Sequence, residues 1–454
     1  MTDLIAPVPD PEPPSPPSGR GRVWLDRWGG VLPLFLAEFV VWLGFGGLLP
    51  VLPLYFTEQG LDLATLGLVV AAWPAARLVS EPIFGWLADR VARVPLMVIG
   101  LLASGLFEML PLVLVGPVPF TILRAGAGIG AAIYDPAARG YLTDATPPER
   151  RGEAFGLYGA AQMGGLLLGP TIGAIGAAWF GGIGFVFVFS AITAVIAAIV
   201  LAVRVKEDPT TRLRHTTVAP GSTEFPRDAA YSEGRFAADL AADAAAADEP
   251  GGASPTRLLN RGLIAALILT IGGNFASGTY EVIWSLFLQG LGADLTLIGF
   301  TFAMFGLPVL LFSPFAGRIV DRRGAFAFIV AGSILPAVTG ILYTLLTDPR
   351  LAVPLILVEA TGFAFLTPAL FAIVAASSPR GRSSTAQGLF GAAGTLGFIV
   401  ASLVAGWLAA ANILYPFYVF AAVMLSSLVL GLVVGGQRLR ARPSAAAVAA
   451  IAAG

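Results

Sequence analysis

The chain has 454 residues, of which 56% are hydrophobic and only 12% charged; its mean hydropathy is +0.82 and its net charge −1. Soluble chains carry about 25% charged residues, so this composition belongs to a protein solvated mainly by lipid, and a net charge of −1 carries no nucleic-acid signal. No cysteine, one histidine (His215) and one lysine (Lys206) leave no disulfide, no thiolate, no histidine or cysteine metal site and no lysine-ended phosphate loop; no metal, no cofactor and no enzymatic activity are expected.

In chain order, residues 1–29 form a tail rich in proline (Pro7, Pro9, Pro11, Pro13, Pro14, Pro16, Pro17), which disfavours helix and predicts a disordered segment. It lacks a basic start followed directly by an apolar core, so it does not read as a signal peptide. Apolar runs of about 20 residues then predict membrane-crossing helices at roughly 31–56, 63–86, 95–115, 118–139, 153–176 and 181–204, an N-terminal half over 30–204. Residues 205–258, with Ala/Asp low complexity around 237–249, read as a mostly disordered linker with room for one short surface helix. A C-terminal half over 259–437 follows, with spans at roughly 260–288, 294–316, 325–346, 351–376, 386–410 and 413–436, and 438–454 form a second tail. Arginines fall in alternate loops: Arg90 and Arg93; Arg139, Arg150 and Arg151; Arg318, Arg322 and Arg323; Arg380 and Arg382. The intervening loops carry only Arg350, so the positive loops, the linker and both termini are expected on the cytoplasmic side of the cell membrane.

The two halves repeat. Gly85-Trp86-Leu87-Ala88-Asp89-Arg90-Val91-Ala92-Arg93, a charged hinge between apolar runs, has a second copy at Gly317-Arg318-Ile319-Val320-Asp321-Arg322-Arg323-Gly324, displaced by 321 − 89 = 232. The same displacement aligns Asp62 with Asp294, Gly67 with Gly299, Pro82 with Pro314, Gly100 with Gly332, Pro136 with Pro368 and 156–161 with 388–393. Duplicated multi-helix halves mark secondary transporters.

Ionisable residues inside the apolar runs are functional candidates, because each is expensive in lipid. Glu38 sits in the first run, where a carboxyl can alternate between a proton and a cationic substrate. Arg124 and Asp135 lie in the fourth, and Arg124 is expected to meet Glu38 or Asp135 as counter-charge. Arg77 and Glu81, four residues apart, read as a local ion pair. The seventh run carries Thr270, Asn274, Ser277, Glu281 and Trp284 at intervals of 4, 3, 4 and 3, a polar stripe on one helix face that lines a path or packs against a neighbour. Glu108 and Glu359 either snorkel or pair. Trp42 and Tyr280, with other aromatics, complete the wall of a cavity better suited to amphipathic or cationic organic molecules than to sugars.

The hinge resembles the signature loop of the major facilitator superfamily, G-x-L-a-D-R-x-G-R-R: Gly85, Leu87, Asp89, Arg90 and Arg93 match, and Ala92 and Val94 depart from it. Gly317, Asp321, Arg322 and Gly324 are similar to its degenerate second copy. Arg124-Ala125-Gly126-Ala127-Gly128 resembles the fourth-helix motif R-x-x-q-G, and Gly156, Gly165, Gly169, Pro170 and Gly173 match the fifth-helix pattern of proton-coupled antiporters. The resemblance implies an all-α membrane protein of twelve transmembrane helices in two six-helix pseudo-symmetric halves. It also implies that Asp89 caps the start of the eleventh helix near Gln387 and Gly388, and that Asp321 faces Glu153 and Gly156, in contacts made only when the cytoplasmic side is closed. Arg90 and Arg93 act in that gate or simply set topology.

The expectation is therefore a secondary transporter working by alternating access, an exporter of lipophilic or cationic drugs that exchanges a small-molecule substrate for protons, embedded in the lipid bilayer as a monomer. Glu38 would carry the exchange, Arg124 modulate it and Asp89 latch the gate. An importer or symporter of a small metabolite, and a non-transporting membrane sensor or scaffold, are the alternatives.

Overall fold

The structure, a computed structural model, describes residues 28–147, 150–180, 182–205, 258–379, 383–436 and 439. The two tails and the linker lie outside the described residues, as do the side chains of Asp321 and Arg322, so the reading of these segments has no structural counterpart. Among the described residues all regular structure is helical.

The first span is bent: Leu32–Leu48 and Leu52–Glu58 meet at 42°, broken around Pro50. The second to sixth spans are Leu63–Ala88, Arg93–Met109, Pro117–Ala145, Arg151–Trp179 and Gly184–Arg204. The seventh to twelfth are Arg261–Gly290, Leu295–Arg323, Phe326–Tyr343, Ala352–Ser377, Ser383–Ala411 and Tyr415–Gly435. Among the described residues ten helices are long and apolar enough to cross a bilayer, and the bent pair makes an eleventh. Pro117–Ala145, diluted by Arg124, Asp135, Arg139 and Asp144, falls short on composition but takes the fourth place in the bundle.

Local chemistry repeats with the sequence. Asp62 accepts from Thr65 N at 2.9 Å and caps the second span; Asp294 accepts from Leu297 N at 2.8 Å and caps the eighth. Gly60 (φ 86°) and Gly292 (φ 90°) supply the left-handed turn before each. The hinges turn differently. Gly324 ends the eighth span at φ 85°, whereas its counterpart Ala92, 324 − 232, sits at φ −59°, so the first hinge turns without a left-handed residue.

Three cores set the shape. One draws on both halves, with Leu54, Tyr55 and Phe56 from the first span packed among Ile283, Phe287 and Phe417 from the other half. It lies at the end opposite the hinges, called here the far end. The other two belong to one half each: Trp28, Leu96, Tyr141 and Leu201 in the N-terminal half, and Leu263, Ile329, Ile373 and Phe420 in the C-terminal half. Close seams at the far end join the halves. A β-carbon on Gly67 would come 3.1 Å from Gly406 Cα, and one on Gly299 would come 2.6 Å from the Pro170 carbonyl oxygen. At the hinge end β-carbons on Gly156, Gly159, Gly388 and Gly391 would meet nothing within 4 Å among the described residues. The bundle is closed at its far end and open at its hinge end.

Candidate functional site

Between the halves lies a cavity of about 280 Å³. The N-terminal half gives it only apolar lining: Leu49, Met163, Leu166, Leu167 and Pro170. Every polar group in the wall comes from the C-terminal half, notably Ser277, Tyr280, Glu281, Trp284, Thr301 and Glu359. The two carboxylates are held differently. Glu281 is paired with Arg124 of the fourth span at 3.1 Å, the ion pair that joins the two halves among the described residues. Among the described residues Glu359 has no cation beside it; it accepts hydrogen bonds from Tyr280 at 2.8 Å and Tyr343 at 2.7 Å. Tyr280 and Trp284 stand edge to face at 5.5 Å, and the Trp284 indole donates to Thr301 at 2.9 Å, which fixes the aromatic wall.

A second cavity, about 400 Å³, opens toward the hinge end and shares Ser277 and Phe363 with the first. Thr270, Asn274, Thr367, Gln387 and Thr395 line it, and among the described residues no charged side chain does. A ligand entering from the hinge end meets hydroxyls and amides before it reaches the acids.

Glu38 faces neither cavity. It is fully buried inside the N-terminal half, accepting from Trp42 at 2.9 Å, from Gln162 at 2.5 Å and from the Tyr134 hydroxyl. Trp42, expected in the cavity wall, donates to a carboxylate one helical turn earlier and lines a small separate cavity inside the N-terminal half, beside Phe45, Trp73 and Asp135. Asp135 pairs with Arg77 and lies 3.5 Å from Arg139, while Glu81 lies 3.6 Å from Arg77 and 3.4 Å from Arg139. The local Arg77–Glu81 pair is therefore one edge of a four-residue network clamping the second span to the fourth. Arg124 meets neither Glu38 nor Asp135 in this state. Glu108 neither snorkels nor reaches the cavity: it is buried and accepts from Ser190 at 2.6 Å.

At the first hinge, Arg90 stacks on Trp86 at 3.8 Å and Arg93 pairs with Asp144 at the end of the fourth span. The Asp89 side chain is 72% exposed, with Arg93 at 3.8 Å, and a β-carbon on Gly388 would face open space, so hinge and eleventh span stand apart. Gly317 lies on the eighth span, in the second hinge copy. The fifth-span glycines face the first span: β-carbons on Gly165, Gly169 and Gly173 would meet the Phe39 oxygen at 2.5 Å, Gly47 N at 2.9 Å and Gly47 Cα at 2.8 Å. Gly156 faces open space, and Pro170 lines the cavity.

Of the expected wall, Ser277, Tyr280, Glu281 and Trp284 line the main cavity, and Asn274 lines the second. One wall residue was not expected there, Glu359, an acid in a run otherwise free of charge; Gln162, whose only signal was an amide in an apolar run, donates to Glu38 inside the N-terminal half instead.

Over 403 residues the chain is 27% identical to Multidrug resistance protein 2 of Bacillus subtilis (strain 168), covering 87% of this chain and 92% of that protein. Over 140 residues it is 31% identical to Quinolone resistance protein NorA of Staphylococcus aureus (strain MRSA252), covering 31% of this chain and 36% of NorA. Its fold superposes with a TM-score of 0.69 on a POT family transporter solved with 5-aminolevulinic acid, at 14% identity over 91% of this chain and 97% of that one. The family model of the Major Facilitator Superfamily matches residues 34–280 and 263–451, both halves in turn. The duplicated bundle with a cavity between its halves is thus a membrane transporter rather than an enzyme, and the chain belongs to the major facilitator superfamily.

Proposed function

We propose that the chain exports lipophilic cations from the cell in exchange for protons, by alternating access, as a monomer in the plasma membrane. The supporting observation is the one-sided cavity: aromatic rings and two carboxylates on the C-terminal wall, bare hydrocarbon on the other. Such a wall attracts an organic cation by charge and by ring faces, and asks few hydrogen bonds of it. The drug-resistance names of Multidrug resistance protein 2 and NorA support the same cargo class. With the arginine-rich loops and both termini inside, the open hinge end faces the cytoplasm, where an exporter loads.

Glu359, with neutral donors only, offers a negative charge to the cargo. Glu281 is neutralised by Arg124 in this state and is free to take a proton once the halves part at the far end. A proton and a cation then occupy the wall in turn, which couples their opposite fluxes. Glu38 and Asp135, each satisfied within the N-terminal half, hold that half together as it rocks. Asp89 latches the hinge end when it closes, by capping the start of the eleventh span.

The test is accumulation of fluorescent lipophilic cations in an efflux-deficient bacterium expressing the chain, with and without a protonophore, beside Glu281→Gln and Glu359→Gln. The expected result is low accumulation that rises with the protonophore and with either substitution. Low accumulation that persists in Glu359→Gln would remove that residue from the site, and no lowering for any cation by the parent chain would overturn the cargo class.

A further inference from the structure

Arg124 is 4% exposed, and of its three guanidinium nitrogens only Nη2 is engaged, by Glu281 of the opposite half at 3.1 Å. Nε and Nη1 are buried with no hydrogen-bond partner among the described residues. A second carboxylate stands within electrostatic reach of the same guanidinium: Glu108 of the third span, on the same side of the bundle as Arg124. Close packing fixes it there. A β-carbon on Gly126, two residues past Arg124, would overlap the Phe107 ring at 2.6 Å, and one on Gly105 would lie 2.8 Å from Ala194 Cβ. Ser190 on the sixth span holds one oxygen of Glu108 at 2.6 Å. One buried cation thus sits among two acids, Glu281 on the opposite half and Glu108 on its own.

The Arg124–Glu281 pair lies toward the far end, seven residues past the start of the fourth span and nine before the end of the seventh (124 − 117 and 290 − 281). That is the end at which the halves are joined. Opening it separates the pair, and a buried guanidinium stripped of its counter-charge strongly opposes any such movement. Glu108 removes the obstacle. We infer that Glu108 is the second seat of Arg124: the guanidinium is bound to Glu281 while the far end is closed and turns to Glu108 when it opens, leaving Glu281 unpaired in the cavity wall. Glu108 touches neither cargo nor transported proton; it is a positioning residue that sets the balance between the two states. The inference deepens the proposed exchange, because it names what frees Glu281 to take a proton.

The experiment reads the two states directly and needs neither cargo nor proton gradient, so its outcome stands whether or not the chain exports cations. The chain has no cysteine, so introduced pairs can be spin-labelled without background. Gln59→Cys with Asn412→Cys reports the far end, and Ala145→Cys with Thr385→Cys the hinge end; all four parent residues are exposed. In lipid nanodiscs, Glu281→Gln removes the first seat and should enrich the far-end-open distances about tenfold or more over the parent. Adding Glu108→Gln removes the second seat as well and should return the distribution toward that of the parent, since neither state then pairs Arg124. Glu108→Asp, which keeps the charge, should leave the Glu281→Gln enrichment largely in place and separates the lost charge from a packing defect. A Glu281→Gln distribution superimposable on the parent, or an enrichment that Glu108→Gln does not cancel, would overturn the assignment.

Discussion

Two carboxylates share the cavity wall with different neighbours, and the difference dictates what a substitution does. Glu359→Gln keeps an oxygen for the hydroxyls of Tyr280 and Tyr343 but loses the charge. Binding of lipophilic cations should weaken by about 10- to 100-fold, the worth of one charge-assisted contact, and binding of uncharged analogues should hardly change. Quenching of tryptophan fluorescence in detergent, with Trp284 in the wall, measures both. Glu38→Gln is a stability prediction. Trp42, Tyr134 and Gln162 all donate to the carboxylate, and a glutamine turns one acceptor into a donor facing donors. The cost should be about 1–3 kcal/mol, seen as a lower unfolding temperature; an unchanged transition would show that the three bonds contribute nothing. The rarity of acids and bases in lipid made Glu38, Arg124, Asp135 and Glu281 legible as candidates. Their partners were not, because Arg124 is closer in sequence to Asp135 than to Glu281, and only the folded bundle brings the Arg124 side chain within reach of Glu281 across the halves.

Spans were the most legible element, since a bilayer demands about 20 apolar residues and the chain spends charge only between them. The bend in the first span escaped notice because hydropathy is continuous across Pro50 and records no direction. In the fifth span the glycine spacing pointed to close packing, and the seam with the first span supplies the reason for Gly165, Gly169 and Gly173. Gly165→Val places methyl groups against the Phe39 carbonyl, 2.5 Å from the new β-carbon, and should lower the yield of folded protein sharply, whereas Gly156→Ala, in open space, should be tolerated. Size-exclusion chromatography of both variants checks the contrast. Asp62→Ala and Asp294→Ala each remove one cap and should cost similar amounts, about 0.5–2 kcal/mol apiece. Thermal unfolding of the two single variants tests whether the halves respond alike.

At the scale of the whole molecule the displacement of 232 reappears as geometry. Gly165 on the Phe39 oxygen recurs as Gly397 on the Ile271 oxygen, 2.5 Å and 2.7 Å from the respective β-carbons. Gly100 on the Gly130 oxygen recurs as Gly332 on the Gly362 oxygen, both at 2.8 Å. The backbone scaffold is twofold; the chemistry inside it is not. Glu281, Glu359 and Arg124 correspond by the same displacement to Leu49, Ala127 and Ile356. The conformation was beyond the reach of the sequence, because one chain must encode both states and the hinge motif describes a contact absent from this one. Asp89→Asn should reduce disulfide cross-linking between Gly85→Cys and Gly388→Cys by removing the charge that draws the hinge to the eleventh span; cross-linking equal to that of the parent would leave Asp89 without a part in closing the hinge end. The division of the cavity into a sticky wall and a smooth one also bears on release. A molecule held by rings and carboxylates of a single half travels as a passenger with that half, and the opposite half slides past it without breaking a polar bond. Departure is then timed by how firmly one wall grips, so substitutions on the smooth wall, such as Met163→Leu, should alter which shapes are admitted while leaving the dwell time of an admitted molecule nearly the same.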